Sequence, residues 1–119
     1  MTKLEMVKEY FELSDTATTN LADRQKIVNL FADDVVLESG IGEKVSGIKA
    51  LKEFFDVFFS RNIKLKHVFV TDEQSEQYKT AWAVAGINKD GQLFSLTGYD
   101  KYHFNPEGKI DYITVHVES

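Results

Sequence analysis

The sequence predicts an α+β fold, a curved and mostly antiparallel sheet with helices on one face. Three observations carry this. Apolar residues recur at helical spacing in three stretches of the first half, around Val7, Val28 and Phe55. The second half holds four strand-like stretches. The turns between them are short and well marked, above all Lys89-Asp-Gly91 and Asn105-Pro-Glu-Gly108. At 119 residues the chain reads as one domain, residues 1–119, large enough for a core without disulfides.

Thr2-Lys-Leu-Glu5 is a capping-box sequence, and Leu4, Val7, Phe11 and Ser14 follow at helical spacing, so a helix is predicted over about residues 3–15. Asp15-Thr-Ala-Thr-Thr-Asn20 competes with helix and predicts a turn. Asn20 can cap a second helix whose apolar side is Leu21, Ile27, Val28, Leu30 and Phe31, ending at Ala32-Asp-Asp34. Val35 to Ser39 reads as a strand with Val35, Leu37 and Ser39 on one face and Glu38 on the other. After a turn containing Gly40 and Gly42, Ser46-Gly47 opens a third helix with a stripe of Ile48, Leu51, Phe55, Phe58 and Phe59. The strands that follow are Lys64–Asp72, Gln77–Asn88, Phe94–Phe104 and Lys109–Glu118, with Glu73 to Glu76 a polar turn.

Composition excludes several functions. Hydrophobic residues make up 43% of the chain and aromatics 13%, as in a packed soluble protein. The absence of Cys removes disulfides, thiolate nucleophiles and Cys-based metal sites, and it suits a reducing, cytoplasmic setting. No signal peptide or membrane span is visible in the sequence. A net charge of -5 without a basic stripe argues against nucleic acid. Three scattered His make no zinc spacing, and the reading calls for no metal and no cofactor.

The chemistry centres on Phe94–Phe104. Phe94, Leu96, Gly98, Asp100, Tyr102 and Phe104 share one strand face, and that face should point inward. It carries Asp100 into the core, where a carboxylate needs partners or a raised pKa. Asp100 is then either a structural, hydrogen-bonded side chain or a ligand-binding or catalytic one. Ala81, Ala83 and Ala85 are small residues on one face of the preceding strand. Facing a helix, they leave room for an apolar pocket lined by Phe. Trp82 and Val84 then lie on the outer face with Tyr99 and Tyr112, which predicts a homodimer packed sheet against sheet.

Leu30-Phe-Ala-Asp-Asp-Val-Val-Leu-Glu38, Val45-Ser-Gly-Ile-Lys-Ala-Leu-Lys-Glu-Phe-Phe55 and Tyr99-Asp-Lys-Tyr-His-Phe-Asn-Pro-Glu-Gly-Lys-Ile110 resemble the nuclear-transport-factor-2-like superfamily. That group includes ketosteroid isomerases, SnoaL-like polyketide cyclases and scytalone dehydratases. The resemblance implies a cone-shaped curved sheet wrapped by three helices (a cystatin-like α+β barrel), a pocket at the open end and frequent dimers. Within the group, Asp100-Lys-Tyr-His-Phe-Asn-Pro-Glu-Gly-Lys109 resembles the strand motif of ketosteroid isomerase and places Asp100 at its oxyanion-hole position. Val7-Lys-Glu-Tyr10 resembles the helix motif and places Tyr10 at the phenol position. Where that enzyme has its Asp base, this chain has Ser39, and Glu38 could serve only if a bulge re-aimed it.

The resemblance therefore implies acid/base chemistry on a small apolar carbonyl compound: isomerisation, cyclisation or dehydration. Tyr10 and Asp100 would polarise the oxygen, and Glu38 or His67 would move the proton. An inward His67 paired with an Asp would resemble the dehydratases. Leu37, Ser39, Phe55, Phe59, Ala83, Ala85 and Tyr102 are the predicted pocket lining. A non-catalytic module binding an apolar ligand, or a dimeric interaction module, are the alternatives on the same fold.

Overall fold

The computed structural model describes residues 1–40, 42–75 and 78–118. Helix α1 (Lys3–Thr16) starts at the predicted capping box, with Thr2 Oγ1 accepting from the Glu5 amide and Glu5 Oε1 from the Thr2 amide, both at 3.1 Å. Helix α2 (Leu21–Val28) is capped by Asn20, whose Oδ1 accepts from the Asp23 amide. It is shorter than the sequence predicts. Leu30 and Phe31 leave the helix, and strand β1 (Phe31–Glu38) runs through the Ala32-Asp-Asp34 segment expected to end it. The cause is tertiary: Phe31 pairs with Ile110 of a distant strand, which outweighs the helical spacing of the apolar residues. The register slips between Phe31 and Val36, so Asp33 and Asp34 both stay exposed.

Strand β2 (Lys44–Ser46) pairs antiparallel with β1, where the sequence indicates only a turn. Helix α3 (Ile48–Ser60) follows, then β3 (Asn62–Asp72), β4 (Lys79–Asn88), β5 (Leu93–Phe104) and β6 (Ile110–Glu118). The predicted β4 start at Gln77, and Glu76 of the predicted turn, lie outside the described residues. The strands form one sheet in the order β2-β1-β6-β5-β4-β3, antiparallel except where β1 runs parallel to β6. Among the described residues no helix is long and apolar enough to cross a membrane.

The core lies between the helices and the inner face of this curved sheet. Val7 and Phe11 of α1, Leu51, Phe55 and Phe59 of α3, and Leu37 and Ile113 of the sheet are all buried there. Burying each large side chain contributes about 1.5–3 kcal/mol. Along β5 the predicted face points inward: Gly98, Asp100 and Tyr102 are buried, while Ser95, Thr97 and His103 are exposed.

Strand β4 reverses the sequence reading. Its β5 partners sit symmetrically about the Asp90 turn, so Thr80 faces Asp100, Trp82 faces Gly98 and Val84 faces Leu96. Trp82 and Val84 are therefore inside, and Ala81, Ala83 and Ala85 are exposed on the outer face. The room on the inner side comes from glycine. A methyl group at Gly98 would come within 2.1 Å of the His116 carbonyl oxygen and 2.7 Å of Trp82 Cζ2. The indole thus lies over a position that only glycine leaves open.

Gly98→Ala should therefore destabilise the protein by about 1–3 kcal/mol, by overpacking against a backbone that has little freedom to move. Ser95→Ala, on the exposed face of the same strand, should stay within about 0.5 kcal/mol of the parent. Equal denaturation midpoints for the two variants would contradict this packing.

Candidate functional site

Asp100 is 2% exposed. Its carboxyl receives two hydrogen bonds: Trp82 Nε1 donates to Oδ1 at 2.9 Å, and the Tyr102 hydroxyl donates to Oδ2 at 2.9 Å. Trp82 reaches it diagonally from β4 across Gly98; Tyr102 stands two residues along the same inward face of β5. Burial pushes the carboxyl up to about 7, against the two hydrogen bonds, which lower it. Near neutral pH the group is therefore poised between acid and carboxylate.

Tyr10, on the inner face of α1, sits among the rings of Phe11, Phe31 and Phe55 at centroid distances of 5.1–6.4 Å. Burial first, and the Asp100 charge second, push its phenol above the ordinary tyrosine value, so it remains a neutral donor. Tyr102 is raised for the same two leading reasons, burial and then Asp100.

His67 points inward from β3. Its Nδ1 lies 2.7 Å from Asp15 Oδ1, which also accepts from the His67 amide at 2.9 Å. A carboxylate on Nδ1 holds the proton there and leaves Nε2 as the basic nitrogen. Burial lowers the His67 pKa below its ordinary value, and it outweighs the opposing hydrogen bond and charge of Asp15. The ring is thus neutral at neutral pH, as a base must be.

These groups meet in one space. An inner chamber of about 160 Å³ is lined by Tyr10, His67, Trp82 and Asp100, with Phe55, Phe58 and Phe59 of α3 on the helix side. A wider cleft of about 620 Å³ opens beside it and shares Tyr10, Phe55, Phe58, Phe94 and Leu96 with the chamber. The outer cleft adds Leu37, Ser39 and Gly40 from the end of β1. Its mouth is formed by Arg61, Asn62, Asn88, Lys89 and Asp90. Together they form a mainly apolar pocket, with Tyr10, His67 and Asp100 in the chamber and charged or amide side chains at the rim.

Of the residues expected from sequence, Tyr10, Asp100, His67, Leu37, Ser39, Phe55 and Phe59 line this space. Glu38 does not. It lies on the outer face of β1, where its carboxylate accepts a hydrogen bond from the Tyr112 hydroxyl. The register slip in β1 falls before Val36, so nothing re-aims Glu38 across the sheet. Ala83 and Ala85 are likewise on the outer face, for the reason given by the β4–β5 register. Tyr102 is buried behind Asp100 and touches the site through that carboxyl. Two residues that the sequence reading assigns elsewhere complete the site. Asp15 falls in the last turn of α1, one turn after Phe11, and Trp82 is the hydrogen-bond donor to Asp100.

The SnoaL-like domain family matches residues 7–113. Solved structures share the whole fold. A nuclear-transport-factor-2-like protein of unknown function from Exiguobacterium sp. 255-15 is 30% identical, with a TM-score of 0.85 over 96% of this chain and 98% of that one. The Δ5-3-ketosteroid isomerase of a Mycobacterium species is 19% identical, with a TM-score of 0.78 over 98% and 93%. A Mycobacterium tuberculosis protein in complex with estradiol-17β-hemisuccinate is 22% identical, with a TM-score of 0.77 over 97% and 93%. No curated protein matches the chain by sequence at a significant level. With the matched domain covering nearly all of its length and the fold shared end to end, the chain belongs to the SnoaL-like domain family of the nuclear-transport-factor-2-like superfamily.

Proposed function

We propose that this protein is an acid/base enzyme acting on a small apolar carbonyl compound, with a proton moved next to the carbonyl in an isomerisation or dehydration. The observation that carries this is the meeting of Tyr10, Asp100 and His67 in one apolar chamber. Tyr10 and the acid form of Asp100 are two donors for a carbonyl oxygen on its way to an enolate. His67, oriented by Asp15, takes the proton in place of the carboxylate base that Ser39 does not supply. Trp82 donates only, so it cannot accept the Asp100 proton. That proton is directed either at Tyr102 or at the bound oxygen. The neighbours support a small-molecule pocket: one is an isomerase, and one is in complex with a steroid derivative.

The non-catalytic alternative is separated by proton exchange. 2-Tetralone, an apolar ketone that can only accept hydrogen bonds at its oxygen, is incubated with the protein in heavy water, and deuterium uptake next to the carbonyl is followed. Catalysed exchange should fall as pH drops through the His67 pKa, below the ordinary histidine value, and fall again as pH rises through about 7, where Asp100 loses its proton. His67→Gln should cut exchange by about 100-fold or more while ketone affinity stays within about two-fold. Asp100→Asn should lower the rate and abolish the upper limb. Ketone binding without catalysed exchange in the parent protein would establish the pocket as a binding site only.

We also propose a cytoplasmic homodimer formed through the outer sheet face. Support comes from Val68 and Val70, 71% and 69% exposed, beside the exposed Ala81, Ala83 and Ala85. Small side chains in a row permit close sheet-to-sheet approach. Sedimentation equilibrium should give twice the 13.6 kDa chain mass at micromolar concentration, and Val68→Lys should halve it. A parent protein sedimenting as the single chain would remove the dimer.

A further inference from the structure

The mouth of the cleft carries a charge arrangement that the chemistry of the inner chamber does not use. Arg61 follows the last turn of α3, and Lys89 opens the β4–β5 turn. Their backbones lie side by side, the Lys89 amide donating to the Arg61 carbonyl at 2.9 Å, and both residues line the cleft. Both side chains are exposed, and among the described residues neither takes part in an ion pair. The neutral rim residues are already engaged. Asn62 Nδ2 donates to the Phe58 carbonyl, and Asn88 Oδ1 accepts from the Asp90 and Gln92 amides. One carboxylate, Asp90, shares the rim. Two cations against one anion is a local excess of positive charge on a chain whose net charge is -5.

We infer that the rim selects ligands with an anionic group at the end opposite the carbonyl, held by Arg61 and Lys89. The inference rests on the pocket reading above and adds the substrate class. Between the rim and the Asp100 end, the walls contributed by Phe54, Phe58, Leu96, Val115 and Val117 offer only apolar contact. The fitting molecule is therefore rod-like: a carbonyl at one end, an apolar body, and a carboxylate or phosphoryl group at the other. Arg supplies a planar fork of donors for such an anion, and Lys adds a point charge. Cations at a cleft mouth also raise the rate at which anions arrive, an effect that salt weakens.

The test compares 4-(4-oxocyclohexyl)benzoate with its primary amide, which has the same ketone and body but no charge. Calorimetry on the parent protein should give an acid bound at least about ten-fold tighter than the amide at low salt, with the gap closing as salt rises. In R61Q/K89Q the acid should fall to the affinity of the amide. An amide that binds as tightly as the acid, or an acid that keeps its advantage in R61Q/K89Q, overturns the rim assignment and leaves the chamber intact. If neither compound binds and 2-tetralone also fails to bind, the pocket reading falls and the rim assignment with it.

Discussion

The burial of one carboxyl group organises this structure. Asp100 sits on the inward face of β5, and a bare carboxylate there would cost several kcal/mol. Two donors offset part of that cost, and each constrains the fold around it. Tyr102 must share the face of Asp100, which fixes the parity of β5. Trp82 must cross from β4, which requires the Thr80–Asp100 register and a glycine at 98 for the indole to lie over. The hydrogen bonds therefore join chemistry to topology.

Burial also decides the electrostatics, on both sides of the chamber. At Asp100 it wins over two hydrogen bonds and pushes the group up to about 7. At His67 it wins over the Asp15 partner and pushes the ring down. The two shifts have opposite sign on groups of opposite charge type, and both favour the neutral form. Near pH 7 burial thus favours an uncharged His67 and a substantial acid fraction of Asp100.

Much of this was legible in the residues. Alternation along Phe94–Phe104 placed Asp100 inward, helical spacing placed Phe55 on a face that meets it, and the resemblance of Val7-Lys-Glu-Tyr10 to the helix motif pointed to Tyr10. The fold followed from the same periodicities. The residues that were misplaced each had a competing signal. Asp15 lies in Asp-Thr-Ala-Thr-Thr, a composition that reads as a turn; α1 continues through Thr16, and the carbonyls of Ala17 and Thr18 beyond it are taken up by the guanidinium of Arg24 on the next helix. The three alanines of β4 read as space for a ligand, yet a two-strand hairpin turning about Asp90 puts them on the face opposite Leu96. The turn alone encodes that parity, which overrides the cue from side-chain size. Strand β2 is too short and polar to stand out in the sequence, and Phe31 reads as helical because only its pairing with Ile110 makes it a strand.

That Asp100 is a carboxylic acid for much of the time at neutral pH joins the fold to the proposed chemistry. Carbon-13 NMR of protein labelled at the aspartate carboxyls tests it without any ligand. One carboxyl resonance should titrate near pH 7, far above the ordinary aspartate range, and Asp100→Asn should remove that resonance alone. A spectrum in which every aspartate carboxyl titrates below about pH 5 would contradict this, because the chamber would then hold a fixed negative charge where the proposed chemistry requires a donor.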